Sequence, residues 1–258
     1  MDDNIEPQVL ALLNRARRIF VLAGAGMSTE SGIQDFRGPQ GLWRTNPASQ
    51  RIFDLQAYIE DPAVRLAAWE MRSSSPILTA EPNRGHQALV DLSRTGRDIT
   101  IATQNIDELQ QRAGSRNVLE LHGTFWQSRC LDCDDRRSID EAITRFQSGE
   151  DDPHCFRCGG ILRTDTVAFG QQLDPRVVGA AMTAASTSDL ALAIGTSLAV
   201  FPAAGLCDVA IQAGADLVIL NGEPTGYDRQ ARAVLRGAIG EVLPRLVSQV
   251  DVYRPSPN

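Results

Sequence analysis

No apolar run in the 258 residues approaches the roughly eighteen needed to span a membrane. The opening MDDNIEPQ is acidic and lacks the charged-then-apolar pattern of a secretory leader. A cytoplasmic protein with no membrane partner is the expectation. Positive charge is also short: 25 Lys and Arg face 32 Asp and Glu, a net charge of -7, which weighs against a general attraction to nucleic acid. Cysteine is sparse, and a reducing cytosol excludes disulfides as the reason for the five that are present. With 43% hydrophobic and 22% charged residues, the composition is that of a folded globular chain, and disorder is expected only for the tail RPSPN.

The chain contains short apolar runs: Ile19 to Ala23, Ile99 to Thr103, Val118 to Leu121, Val167 to Phe169, Leu190 to Ile194 and Leu217 to Leu220. Continuous apolar strands covered on both faces indicate a parallel sheet, with helical stretches such as Pro175 to Ser188 and Pro202 to Ala213 as crossovers. The fold class is α/β. Polar or glycine-rich clusters follow most of these runs, and in open α/β sheets ligands bind at the carboxyl ends of the strands. Two segments break the rhythm, 44–82 and 125–163, and read as insertions that build a small second domain. The main domain is then 1–43, 83–124 and 164–258. Within the second insertion, Ser138 and Glu141 form a capping-box pattern before a helical apolar spacing.

Cys130 and Cys133 make one Cys-x-x-Cys pair and Cys155 and Cys158 another, with 21 residues between them. Two such knuckles complete a tetrahedral zinc site, and four thiolates leave no open position, so the metal is structural. Two redox dithiols are the bland alternative. Cys207 lies on an apolar helical pattern and reads as core.

Gly24-Ala25-Gly26-Met27-Ser28-Thr29 follows the first strand and opens a helix, where backbone amides can receive a pyrophosphate. Thr29 stands where a dinucleotide fingerprint has its third glycine, and no acid follows a strand about 20 residues on, which disfavours a hydride-transfer dehydrogenase. His122 follows a strand and precedes Gly123, so an imidazole titrating near neutrality stands at the ligand edge, suited to general-base work. A lone histidine is more often structural. His86 reads as architectural and His154 as a loop residue. Gln104, Asn105, Ile106 and Asp107 leave another strand with groups that suit sugar hydroxyls and a carboxamide. Asp107 serves equally well as a helix cap.

In order, GAGMSTESGIQDFRG, PNRGH, TQNID, LHG, the two cysteine pairs, FG, GTSLAV, NGEPT and LRGAIGEVLP resemble the sirtuin family over nearly the whole chain, from about Ile19 to Leu246. The resemblance implies a Rossmann-like parallel sheet with helices on both faces and a small zinc-ribbon and helical domain, with NAD and an acyl-lysine protein substrate entering between them. It implies an NAD-dependent lysine deacylase yielding nicotinamide, free lysine and O-acyl-ADP-ribose. His122 matches the general base, and Asn105 and Asp107 match residues that place the ribose and nicotinamide. Gly24, Ala25, Gly26, Ser28, Gln104, Ile106, Gly195, Thr196 and Ser197 fall in motifs around the cofactor. Asp35, Phe36 and Arg37 match the loop over it. Asn221, Gly222 and Glu223 match its adenosine ribose, and Ile239 the adenine end. Phe169, Gly170 and Val200 match the acyl-lysine channel.

Departures from the pattern carry their own expectations. Gln34 replaces a usual proline, implying a more mobile cofactor loop, and Gln110 replaces a common histidine. Members that prefer acidic acyl chains carry a tyrosine and, three residues on, an arginine; here those positions are Trp69 and Arg72. The larger indole at Trp69 and the ring of Phe53 imply a smaller acyl pocket and a preference for acetyl over succinyl or malonyl. ADP-ribosyl transfer to protein, NAD hydrolysis and a non-catalytic NAD-binding module are the competing readings.

Overall fold

The computed structural model describes residues 5–253, and the tail RPSPN lies outside the described residues. Helix α1 (Ile5–Arg15) leads into β1 (Arg18–Ala23), and a first excursion carries α2 (Leu42–Thr45), α3 (Leu55–Glu60) and α4 (Pro62–Ser73). The chain returns through α5 (Arg84–Arg94), β2 (Asp98–Thr103), α6 (Leu109–Ala113) and β3 (Val118–Glu120). A second excursion holds β4 (Gly123–Cys130), β5 (Arg136–Ser138), α7 (Ile139–Gln147) and β6 (Leu162–Thr166). Then follow α8 (Pro175–Ser186), β7 (Leu190–Ile194), α9 (Gly205–Gln212), β8 (Asp216–Leu220), β9 (Ala233–Leu235) and α10 (Ile239–Val247).

Why the apolar runs become strands is visible in how each divides between two cores. Ile19, Val21 and Ala23 of β1 belong to one cluster with α1, α5 and α10. Phe20 and Leu22, the alternate positions, belong to the other with α8 and α9. Strands β7 and β8 divide the same way, Leu192 and Leu220 on one face, Ala193 and Ile219 on the other. This period of two within an unbroken apolar run is the signature of a sheet covered by helices on both faces. Truncating a fully buried ring such as Phe20 would cost about 3–5 kcal/mol.

The six strands are parallel and ordered β3-β2-β1-β7-β8-β9. Counted by appearance within this sheet, that is 3-2-1-4-5-6, the doubly wound dinucleotide-binding order, whose ligand crevice opens where the order reverses. The reversal lies between β1 and β7, and it places the loops after Ala23 and Ile194 side by side.

The excursions build the second module. Strands β5, β4 and β6 form an antiparallel sheet beginning at Gly123 and ending at Thr166, beyond the expected 125–163 at both ends. Gly123 pairs with Thr166, and the Val167 amide donates to the His122 carbonyl at 2.8 Å, so the excursion leaves and returns at one point. Only glycine fits there: φ is 73°, and a Cβ would sit 2.1 Å from the Asp165 carbonyl oxygen. In the first excursion Asp54 and Asp61 cap α3 and α4 by accepting from the Ala57 and Ala63 amides at 2.7 and 2.9 Å.

Four expectations are corrected. Val167 to Phe169 is not a strand of the parallel sheet: the chain leaves β6, reaches Gly170 at φ 85°, and Phe169 bridges to Asp54. The helix foreseen from Pro202 starts at Gly205, after a turn. Ser138 does cap α7, accepting from the Asp140 amide, but Glu141 lies 3.4 Å from Arg137, so the predicted reciprocal bond gives way to an ion pair. The GAG segment opens only a three-residue 3-10 turn, Ala25–Met27, and no α-helix.

Candidate active site

Gly24 and Gly195 interlock at the strand-order reversal. The Gly24 amide donates to the Ile194 carbonyl at 3.0 Å and the Gly26 amide to that of Gly195 at 2.8 Å. Gly195 has φ 61°, and a Cβ there would lie 2.3 Å from the Met27 nitrogen. The two loops therefore form one surface of bare backbone, and any side chain would force them apart.

Beneath that surface runs a buried polar chain. Ser28 Oγ donates to Asp107 Oδ2 at 2.6 Å and accepts from Asn105 Nδ2 at 3.1 Å, while Asn105 Nδ2 also donates to the Gly24 carbonyl at 3.1 Å. Asp107 Oδ1 accepts from the Leu109 amide at 2.9 Å, the first amide of α6, although the N-cap position itself is Glu108. Burial pushes its pKa up, and the bond from Ser28 opposes the rise. Gln104 Nε2 donates to Thr196 Oγ1 at 2.9 Å, tying the β2 loop to the β7 loop.

His122 enters from the end of β3. Its Nδ1 is 2.9 Å from the Gln104 carbonyl oxygen, which can only accept, so Nδ1 carries the proton and Nε2 keeps its lone pair. Burial lowers the imidazole pKa below its ordinary 6.5, against the pull of that hydrogen bond. The ring is neutral at neutral pH, the state a general base requires.

These groups line one cavity of about 1310 Å³ running from the switch point to the mouth between the modules. It brings together His122, Asn105, Asp107, Gly24, Ala25, Gly26, Ser28, Gln104, Ile106, Gly195, Thr196 and Ser197. Asn221, Gly222, Glu223 and Ile239 close one end. Glu30 accepts the Gly240 amide at 2.8 Å, fixing the start of α10 and with it Ile239. Asp35, Phe36 and Arg37 form a wall on which Phe36 packs 4.9 Å from Trp43 and 5.5 Å from Phe53, centroid to centroid. Arg37 lies 4.5 Å over the Trp43 ring. Gln34, where a looser loop was expected, bonds the Gln40 carbonyl and lies 3.3 Å from Thr45 Oγ1, so the side chain fastens the two ends of this loop.

Phe169, Gly170, Val200 and Arg72 line the other end, but Trp69 does not. Its ring is fully buried in the small module with Ile77, Phe125 and Ile139, because it points away from the cleft on α4. Arg72 lies between, 4.9 Å over the Trp69 ring and 5.2 Å over that of Tyr58. Arg72 also donates to Tyr58 Oη at 3.2 Å, and Tyr58 donates to the Leu162 carbonyl at 2.7 Å. Arg163 shares this floor; it donates to Gln171 Oε1 at 3.1 Å, and burial together with the charge of Arg72 brings it down to about 10. Among the described residues neither Arg72 nor Arg163 makes an ion pair. Tyr58, Arg163 and Glu30 were not found from sequence, since each acquires its role from a partner distant along the chain.

The four cysteine sulfurs lie outside this cavity and within 4.8 Å of one another, with Cys130–Cys158 at 3.5 Å and Cys133–Cys155 at 3.7 Å. Four thiolates about 2.3 Å from a central zinc stand about 3.8 Å apart, so the cluster fits a closed structural site. Gln110 is buried beside Ser115 and does not reach the cavity, so its departure from the usual histidine leaves the site intact.

Residues 24–202 match the Sir2 family. The chain is 47% identical over 231 residues to NAD-dependent protein deacetylase 2 of Streptomyces coelicolor, covering 89% of this chain and 96% of that one. It is 42% identical to NAD-dependent protein deacylase 2 of Pyrobaculum aerophilum, over 94% of each. Among solved structures it superposes on a Sir2 complex with p53 peptide and NAD+ with TM-score 0.85 and 33% identity, covering 94% of this chain and 97% of the other. A Sir2Tm structure bound to a propionylated peptide gives TM-score 0.85 and 32% identity over 94% and 97%. With the switch-point crevice, the buried Ser28-Asp107-Asn105 chain, the neutral His122 and the four-cysteine cluster in place, the protein belongs to the Sir2 family of sirtuins.

Proposed function

We propose that this chain removes acetyl groups from protein lysines, using NAD as the acceptor of the acyl group. The observation that carries the reading is His122: a neutral imidazole with Nδ1 committed to the Gln104 carbonyl and Nε2 free, in the cavity that also holds Asn105 and Asp107. NAD supplies an electrophilic ribose carbon from which nicotinamide departs. The acyl-amide oxygen would bond to that carbon as the bond to nicotinamide breaks, a ribose hydroxyl would then take the acyl carbon, and one water, entering only after nicotinamide has left, would complete release of the lysine amine.

The chain's own residues do the rest. Ala25, Thr196 and Ser197 offer amides and hydroxyls to the pyrophosphate and its riboses, Gly24 leaves room for their close approach to the backbone, Asn221 and Glu223 hold the adenosine ribose, and Ile239 backs the adenine. Asn105 and Asp107 hold the nicotinamide end. Nε2 of His122 takes the proton from a ribose hydroxyl. Phe36, packed on Trp43 and Phe53, keeps water from the reacting carbon, which matters because hydrolysis competes with acyl transfer.

The preference for a short neutral acyl group rests on the crowding of Phe53, since Trp69 does not narrow the pocket. One observation favours a second reading, removal of acidic acyl groups: Arg72 and Arg163 line the cleft, both buried and, among the described residues, both without a carboxylate within ion-pair distance. A buried cation without a counter-charge attracts an anion. Acetyl, propionyl, succinyl and malonyl forms of one peptide, assayed with NAD and followed by mass spectrometry, separate the two. Fastest release of acetyl, with O-acetyl-ADP-ribose formed, is the expected result. Faster desuccinylation that Arg72→Met abolishes would establish the second reading, and ADP-ribose without deacylated peptide would reject both.

A further inference from the structure

Among the described residues, Glu108, Asp134 and Leu198 are the non-glycine residues with positive φ. Glu108 is held at φ 60°, ψ 15°, between Asp107 of the site and α6, where a β-carbon crowds its own backbone and glycine would not. The position carries a second penalty. Glu120, at the end of β3, is pushed up to about 6 by burial and then by the charge of Glu108, so the two carboxylates stand close enough to repel. Glycine at position 108 would be free of both the strain and the repulsion. A residue that the fold holds against two penalties points to function before stability.

The side chain joins two loops. Its Oε1 accepts from Thr124 Oγ1, a buried hydroxyl two residues beyond His122. Thr124 Oγ1 accepts in turn from the Trp126 amide at 3.1 Å, so the hydroxyl is committed as donor and as acceptor. Two further bonds lace the same segments: the Phe125 amide donates to the Ile106 carbonyl at 2.8 Å, and Trp126 Nε1 to the Asp107 carbonyl at 2.9 Å. Glu108 itself does not line the cleft.

We propose that Glu108 is a positioning residue, whose bond to Thr124 holds the loop of Asn105 and Asp107 in register with His122. The loop after β2 supplies the groups for the nicotinamide end, and the base comes from the end of β3. The bond spans the two, one residue from Asp107 and two from His122. Glycine at position 108 would let the loop relax, relieving the strain and loosening the geometry in which a ribose hydroxyl meets Nε2. The inference rests on the deacylase reading and adds to it a residue outside the cleft.

The test uses the full chain with NAD and an acetyl-lysine peptide, and reads kcat, both KM values and the thermal midpoint of each variant. Glu108→Gly should lower kcat about tenfold while KM for the peptide holds, the size expected when reacting groups drift from alignment. Its thermal midpoint should equal or exceed that of the native protein, because glycine adopts the left-handed turn freely. Glu108→Gln keeps an oxygen for Thr124 and should retain most of kcat. Thr124→Val should lower kcat as the glycine variant does, and the double variant should lose no more than either alone. An unchanged kcat in Glu108→Gly, a loss that tracks a lower midpoint, or losses that multiply in the double variant overturns the positioning role. Absence of deacylation by the native chain would instead overturn the proposed function, so the two failures are distinct.

Discussion

Ser28 Oγ lies 2.6 Å from Asp107 Oδ2, a bond that joins the turn after β1 to the loop after β2 beneath the cofactor surface. Both groups are buried, so the carboxylate depends on this donor and on the Leu109 amide to remain charged. Ser28→Ala should raise the Asp107 pKa further and lower kcat/KM for NAD by roughly tenfold to a hundredfold, the cost of removing one donor from a buried charge. Steady-state kinetics against pH checks this: the variant should recover part of its activity as the medium becomes more alkaline, and a uniform loss at all pH values would contradict the role given to the bond.

His122→Ala should remove deacylation by at least about a hundredfold, while calorimetry still detects NAD binding. In the native protein the acid limb of kcat/KM should fall below the ordinary imidazole value of 6.5, since burial depresses the His122 pKa. The base is active when neutral, so activity holds as pH falls past 6.5 and declines only through the lowered value. An acid limb above 6.5 would show that a different group titrates.

His86 gives a stability prediction of the same sign. It is fully buried in the first turn of α5, where its Nδ1 accepts the Asn83 amide at 3.2 Å, and burial lowers its pKa from 6.5 to about 4. Between those values the unfolded chain binds a proton that the folded chain refuses, so stability falls as pH drops from 6.5 to about 4. The loss from this group is roughly 3 kcal/mol. Urea unfolding of the native protein and His86→Gln across that interval should show a shallower slope for the variant.

Chelation of zinc should unfold the small antiparallel sheet and abolish activity without dissolving the six-stranded sheet. Hydrogen exchange followed by mass spectrometry should show protection lost in β4, β5 and α7 and kept in β1, β7 and β8. Equal loss in both sheets would mean that the modules fold as one unit.

The parallel strands were legible because burial on both faces leaves an unbroken apolar run, and the zinc site was legible because two knuckles must be local in sequence to aim at one ion. His122 could be placed because its strand and glycine flank it. Tyr58 and Arg72 could not be paired in advance: they sit on different helices, and only the packing of α3 against α4 sets one hydroxyl on the other's guanidinium. Trp69 was misjudged for a related reason. Spacing along a helix says which residues share a face, but which face meets the cleft depends on the neighbour it packs against. Val167 to Phe169 misled because three apolar residues fit a strand and a cleft wall equally well.

The hydrogen bond from the Val167 amide to the His122 carbonyl makes the second excursion a detour with a single gate. The two ends of that detour meet beside the base, so the position of His122 at the sheet edge is set by the gate and not by the length of chain beyond it. An insertion at the far tip of the ribbon therefore leaves the imidazole at its address.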